Sequence, residues 1–206
     1  GIQSVVFSVS NVLIQSSINS FGSTAMAGST AAANIEGFVY TAMNTFHHTT
    51  VNFTSQNLGA HKFDRIKKSI LLNLILVTIV GLVLGGGAYL FGPQLLRIYN
   101  DDPHVISYGM IRIFYICVPY FLCGIMDTFV GGIRGMGVSV IPMITSLIGA
   151  CGLRILWIYT VFQWNRTLPV LFLSYPVTWL ITALAHMICC IIIYRRTVKH
   201  AAATAL

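Results

Sequence analysis

Charge is scarce in this 206-residue chain: only 8% of its residues are Asp, Glu, Lys or Arg. A water-soluble domain carries about a quarter, so the composition excludes a molecule whose whole surface faces water. Acids are the scarcest group, with Glu36, Asp64, Asp101, Asp102 and Asp127 making up all five. The five cysteines (Cys117, Cys123, Cys151, Cys189 and Cys190) lack C-x-x-C or Cys/His ligand spacing. That excludes a zinc site and a disulfide framework, and it fits small buried hydrophobes. No G-x-x-x-x-G-K-[ST] phosphate loop is present. Short alternating segments of the kind that build a membrane β-barrel are missing as well. There is no soluble domain or low-complexity linker, no signal peptide and no initiating Met. Residue 1 already lies in an apolar stretch, so the chain is expected to be part of a longer protein.

What is abundant is apolar sequence: 56% of residues are hydrophobic and the mean hydropathy is +0.79. A helix needs roughly 20 apolar residues to cross the hydrocarbon core. Six stretches qualify, at 2–21, 25–57, 69–91, 105–133, 140–162 and 168–194. The expected fold is an all-α membrane protein, a six-transmembrane-helix bundle. Gly85, Gly86 and Gly87 in the third stretch suit close helix approach. The net charge of +7 would point to nucleic acid in a soluble protein. Here the basic residues gather at segment ends, which reads as topology and contact with anionic lipid.

Orientation follows from those ends. Lys62, Arg65, Lys67 and Lys68 follow the second stretch, Arg134 the fourth, and Arg195, Arg196 and Lys199 the sixth. All three clusters fall on one side, which the positive-inside rule makes cytoplasmic. The C-terminus is thus expected inside a cell (inner) membrane. The opposite loops hold Arg97, Asp101 and Asp102, and Arg166. Asp101-Asp102-Pro103 reads as a turn and helix N-cap. Tyr175-Pro176 and Trp179 read as interfacial anchors.

Polar residues within the stretches are not scattered. Wound at 100° per residue, Ser4, Ser8, Asn11, Gln15 and Asn19 fall within an arc of about 80°. Such a stripe leaves hydrogen-bonding groups without partners in lipid, so it must face protein or water. Bundle-gluing hydrogen bonds and a hydrated cavity both satisfy it. In the second stretch Glu36, Tyr40, Asn44, His47, His48 and Ser55 share an arc of about 120°. A carboxylate at the centre of a membrane helix costs about 2.5–3.5 kcal/mol on insertion scales and calls for a partner or a function. The fourth stretch aligns Tyr108, Arg112, Tyr115, Pro119, Cys123, Asp127 and Arg134, with Pro119 a site of hinge or kink. Arg154 in the fifth is either a partner for a carboxylate or a snorkelling side chain. No metal-ligand set is formed by His47 and His48, which diverge around the helix.

Five segments together carry a family resemblance: FSVSNVLIQSSINSFGS (7–23), ANIEGFVYTAMN (33–44), SQNLGA (55–60), GGIRGMG (131–137) followed by Pro142-Met143, and LRILWI (153–158). The chain resembles the C-terminal half of the multidrug and toxic compound extrusion (MATE) antiporters across nearly its full length. The resemblance implies one lobe of a twelve-helix, two-lobe transporter, whose partners are the N-terminal lobe, the lipid bilayer and small cationic or amphipathic substrates. It implies no enzyme activity, no nucleic acid and no cofactor, only a coupling ion that is a proton or sodium. In the sodium-coupled branch, acids on the first and fourth spans of this lobe matter. Here the first span offers Asn11, Gln15 and Asn19 and no acid.

Glu36 and Asp127 are therefore the ion-coupling or substrate-binding candidates. Asn11, Gln15, Asn19, Tyr40, Asn44, His47, Tyr115 and Cys123 are the candidates for a cavity lining, and Gly131, Arg134, Gly135 and Gly137 for a structural motif. The alternatives are a lipid-linked oligosaccharide flippase, which would need an arginine-rich cavity, and a non-transporting membrane fragment. A prenyl-transferring enzyme would need paired acids within the membrane; Asp101-Asp102 sits in a loop.

Overall fold

The computed structural model describes all of residues 1–206 and contains helices and no strand. Six long helices run in sequence: α1 (Ile2–Asn19), α2 (Ser23–Gly59), α3 (Phe63–Leu90), α4 (Pro103–Gly135), α5 (Val140–Trp164) and α6 (Leu168–Thr204). A short helix, Gly92–Arg97, caps the far end of α3. By length and composition α3 to α6 are the four able to cross a membrane. The polar stripes of α1 and α2 dilute their apolar content, which is why those two stand apart.

Helix ends fall where caps and turns place them. Gly22 (φ 100°) makes the tight turn between α1 and α2, a conformation that favours a residue without Cβ. The Asp102 carboxylate accepts from the backbone N–H of His104 at 2.9 Å, the N-cap expected there, and Pro103 takes the first helical position. Two helices overrun their expected stretches. α3 begins at Phe63 and α6 continues to Thr204, because the basic clusters at 65–68 and 195–199 end the apolar run without ending the helix. Lys and Arg are good helix formers, so hydropathy marks where the bilayer stops and not where the helix does.

α4 occupies the middle of the bundle, against α2, α3 and α6. Lipid is as apolar as a leucine side chain, so packing rather than escape from water holds such helices together. The α2–α4 seam is built for it. A Cβ on Gly28 would lie 2.6 Å from the Val105 carbonyl oxygen, and one on Gly131 2.6 Å from the His47 carbonyl oxygen. Gly124 abuts Met43 and Val77, and Gly135 abuts Thr54. Gly131 and Gly135 thus serve packing, while Gly137 (φ 90°) alone makes the turn that ends α4. In α3 Gly81 meets Phe121 and Gly85 the Cys117 backbone, while Gly86 and Gly87 face open space.

Two helices are not uniformly α-helical. At Ile113–Cys117 α4 widens into a π-turn, with the Val118 N–H donating to the Ile113 carbonyl at 3.1 Å. Pro119 follows; it has no N–H to offer and its ring crowds the preceding turn, so the ladder slips there. A second π-turn, Leu147–Gly152, interrupts α5 where Gly149 presses on Thr182 of α6. The largest apolar cluster gathers Ile18, Met43, Ile116, Tyr120, Phe162, Phe172 and Trp179 from α1, α2, α4, α5 and α6. Trp179 is buried against Tyr120, ring centroids 4.8 Å apart, and is a core residue, not the interfacial anchor its sequence context suggests.

Candidate functional site

The two acids within the bundle have unlike surroundings. Glu36 of α2 accepts from Arg112 Nε at 2.9 Å, both side chains being nearly buried. Arg112 Nη1 donates to Ser29 Oγ at 2.7 Å, and the guanidinium stands 5.6 Å from the Phe172 ring centroid. Both charges are thereby matched and hydrogen-bonded, the condition under which a buried pair persists.

Asp127 has no such partner. The one ion pair in the structure is Arg112–Glu36, and no side-chain hydrogen bond reaches the Asp127 carboxylate. Instead it faces a cavity of about 290 Å³ lined by five helices. α2 contributes Tyr40, Asn44 and His47, which at spacings of four and three lie on one face. α4 contributes Cys123, Met126, Asp127, Val130 and Arg134; α5 contributes Ser146, Ala150 and Arg154; Gln3 and Phe7 of α1 and Trp179 of α6 close it.

The cavity is charged. Arg154 is buried, its Nη2 donating to Thr178 Oγ1 at 3.1 Å and its guanidinium lying 4.0 Å over the Tyr175 ring. It points inward rather than snorkelling, and its Nε finds no acceptor. Arg134 approaches His47 Nε2 at 3.5 Å, while His47 Nδ1 lies 2.9 Å from the Asp127 backbone carbonyl. A carbonyl only accepts, so Nδ1 carries the hydrogen and Nε2 presents its lone pair toward Arg134. One carboxylate therefore shares this space with two guanidiniums.

Several sequence expectations are redrawn by this geometry. Tyr40, Asn44, His47 and Cys123 do line the cavity with Asp127, and Glu36 and Tyr115 do not. The common face drawn through Arg112, Tyr115 and Asp127 assumed a regular helix; the π-turn between them shifts the phase, and Arg112 goes to Glu36. Asn11, Gln15 and Asn19 lie on the exposed side of α1, outside this cavity, with Gln15 Nε2 donating to Asn19 Oδ1 at 2.8 Å. A second exposed row, Thr30, Asn34, Thr41, Thr45, His48 and Asn52, runs along α2 within about 60°. Neither row is covered by this chain.

Ser146 and His186 were missed by sequence reasoning. His186 is fully buried in α6, with Nε2 3.1 Å from Ser146 Oγ at the cavity edge. The signal was present: Ser174, Thr178, Thr182 and His186 recur every four residues in α6, a buried polar row facing α5.

Comparison with known proteins agrees with this architecture. The MatE family model matches residues 1–160. The probable multidrug resistance protein YoeA of Bacillus subtilis is 23% identical over 154 residues, 75% of this chain and 33% of that protein. The probable multidrug resistance protein NorM of Thermotoga maritima is 26% identical over 175 residues, 83% of this chain and 34% of that protein. Among solved structures, an outward-facing multidrug resistance MATE family transporter of the MOP superfamily superposes with a TM-score of 0.84 at 13% identity, over 96% of this chain and 45% of that one. The MATE transporter ClbM in complex with Rb+ superposes equally well, at 15% identity over 97% and 47%. This chain thus spans about a third of its curated relatives and under half of the solved structures it matches.

Proposed function

Because the chain belongs to the MatE family, we propose that it forms one lobe of a multidrug export antiporter. α1 and α2 cross the bilayer with α3 to α6, and their exposed polar rows face a second lobe across a hydrated cleft. Cationic or amphipathic substrates bind in that cleft and leave by alternating access, as one lobe rocks against the other. The basic ends of α2, α4 and α6 lie on the cytoplasmic side of the cell membrane.

The observation that carries this reading is Asp127, an intramembrane carboxylate with no ion-pair partner, opening onto a polar cavity between the helices. An acid in that setting exchanges its charge for a bound cation or proton, and the exchange alters how α2, α4 and α5 pack around it. The coupling ion we favour is the proton. A 290 Å³ cavity is roughly 8 Å across if round, and at that separation each like charge costs about 2 kcal/mol at an effective dielectric near 20. Arg134 and Arg154 impose that cost on either cation. A sodium ion also needs several oxygen ligands besides Asp127, whereas a proton bonds covalently to the carboxylate and needs no further ligand. Arg112 is neutralised by Glu36, and in the cavity the Asp127 carboxylate beside Arg134 and Arg154 opposes a pyrophosphate, so a flippase ranks second.

Everted membrane vesicles carrying the complete transporter test the proposal. Accumulation of a fluorescent cation is expected under an imposed proton gradient, and Asp127→Asn is expected to abolish it while leaving the amount of transporter unchanged. Accumulation driven by sodium at a clamped proton gradient would overturn the proton assignment. Wild-type export by the Asp127→Asn transporter would overturn the site.

A further inference from the structure

A second concavity lies away from the Asp127 cavity, on the outer wall of the bundle. α3 and α6 each pack on α4 and meet one another in a small apolar cluster of Ile66, Ile70, Cys190 and Ile193. Between them runs a groove of about 430 Å³, lined by Ile70, Leu71 and Leu74 on one side and by Met187, Cys190 and Ile191 on the other. Its floor is Phe129 of α4, beside Gly132, where a Cβ would strike Ile70 at 2.9 Å. Leu71 and Ile191 on its edges are 50% and 44% exposed, so the groove opens outward along its length.

One end is unlike the rest. Lys67 and Arg195 complete the lining, both exposed and neither with an acid partner. Just beyond them the Tyr194 hydroxyl donates to the Phe63 carbonyl at 3.2 Å, tying α6 to the start of α3 and closing the groove there. From Lys67 to Leu74 the groove deepens by about 10 Å along α3, at 1.5 Å per residue, and every other lining side chain except Tyr194 and its hydroxyl is fully apolar. Lys62, Arg196 and Lys199 lie nearby in sequence, with Asp64 the one acid, while Arg65 and Lys68 line a separate concavity between α2 and α3.

We propose that this groove is a binding site for an anionic phospholipid, with an acyl chain between α3 and α6 and the headgroup phosphate between Lys67 and Arg195. Two cations at one end of an apolar trench match a molecule with a charged head and a long apolar tail. A small anion would use the cations and leave the trench empty; a neutral lipid would fill the trench and leave the cations unmatched. The headgroup sits at the basic end of the bundle, where anionic lipids of that leaflet concentrate around Lys and Arg. Bound there, the lipid fills the gap between α3 and α6 that no side chain of this lobe fills. The site makes no use of Asp127 and stands whether or not the export reading holds.

The test uses the complete transporter, purified in mild detergent and read by native mass spectrometry after incubation with phosphatidylglycerol or phosphatidylcholine of matched chain length. Phosphatidylglycerol is expected to be retained at least fivefold more than phosphatidylcholine, and to raise the unfolding temperature. The double variant Lys67→Gln with Arg195→Gln, both positions exposed, is expected to lose that preference. A variant removing two cations elsewhere on the same face, Lys62→Gln with Lys199→Gln, is expected to keep it. Leu74→Trp, which fills the trench and retains both cations, is expected to lower retention of either lipid. Equal loss in both double variants would reduce the effect to diffuse surface charge and overturn the site. Protection by inorganic phosphate as strong as that by phosphatidylglycerol would overturn the lipid as its ligand.

Discussion

His47 Nδ1 and the backbone carbonyl of Asp127 lie 2.9 Å apart, so the imidazole of α2 is fastened to the very residue whose carboxylate faces the cavity. The bond crosses the glycine seam, where Gly131 lets α4 approach the His47 carbonyl in turn. The helix carrying the acid is thereby held at a fixed height and azimuth against its neighbour. Side chain and main chain of His47 both engage α4, the first at the Asp127 carbonyl and the second at Gly131.

Replacing His47 with Phe keeps the volume and removes the bond. A net hydrogen bond contributes about 1 kcal/mol, so drug export is expected to fall by about fivefold with little change in the amount of transporter. Resistance assays alongside quantified membrane expression check this; loss of expression in parallel with export would assign His47 a folding role only.

Glu36 and Asp127 are expected to fail differently. Removing one member of a buried ion pair strands the other charge and costs about 3–5 kcal/mol. Glu36→Gln should therefore lower the unfolding temperature in detergent, while Asp127→Asn should not. Glu36→Gln combined with Arg112→Met removes both charges and is expected to recover part of the stability, a recovery that thermal unfolding would read directly.

Enlarging the seam is expected to be costly. Gly131→Ala places a methyl group 2.6 Å from the His47 carbonyl oxygen. Overpacking of this kind costs about 1–3 kcal/mol. Gly86→Ala, which meets open space, serves as the neutral comparison. Folded yield and unfolding temperature of the two variants should separate clearly.

Arg154→Met keeps a long side chain over the Tyr175 ring and deletes one of the two cavity cations. Sodium is expected to gain access: a sodium gradient at a clamped proton gradient should drive export by the Arg154→Met transporter and not by the wild type. An unchanged, sodium-insensitive Arg154→Met transporter would remove Arg154 from the account of ion choice.

Much of the fold was legible because bilayer thickness and hydropathy constrain helices strongly. The six helices, their order, the cap at Asp102 and the turn at Gly137 all follow from local chemistry. The cavity was half legible: Tyr40, Asn44 and His47 were grouped correctly because α2 is regular from end to end. Tyr115 falls outside the cavity because facial arguments assume an unbroken 3.6-residue period, which α4 lacks between Ile113 and Cys117, and the same slip carries Arg112 to Glu36. Ser146 and His186 escaped because neither helix carries an acid to draw attention to its polar face. Only the four-residue recurrence in α6, matched to a small-residue face of α5, reveals them.

The slip at Pro119 also makes α4 two rods in series rather than one. Residues 103–112 and 120–135 each keep their own azimuth, the first set by Gly109 against Gly28 and the second by Gly124, Gly131 and Gly135 against α2. Torque applied to the first rod is expected to be taken up in the widened turn before it reaches Asp127. Substitutions that re-seat Tyr108 or Arg112 will therefore leave the aim of that carboxylate unchanged, whereas any that regularise the turn will swing it.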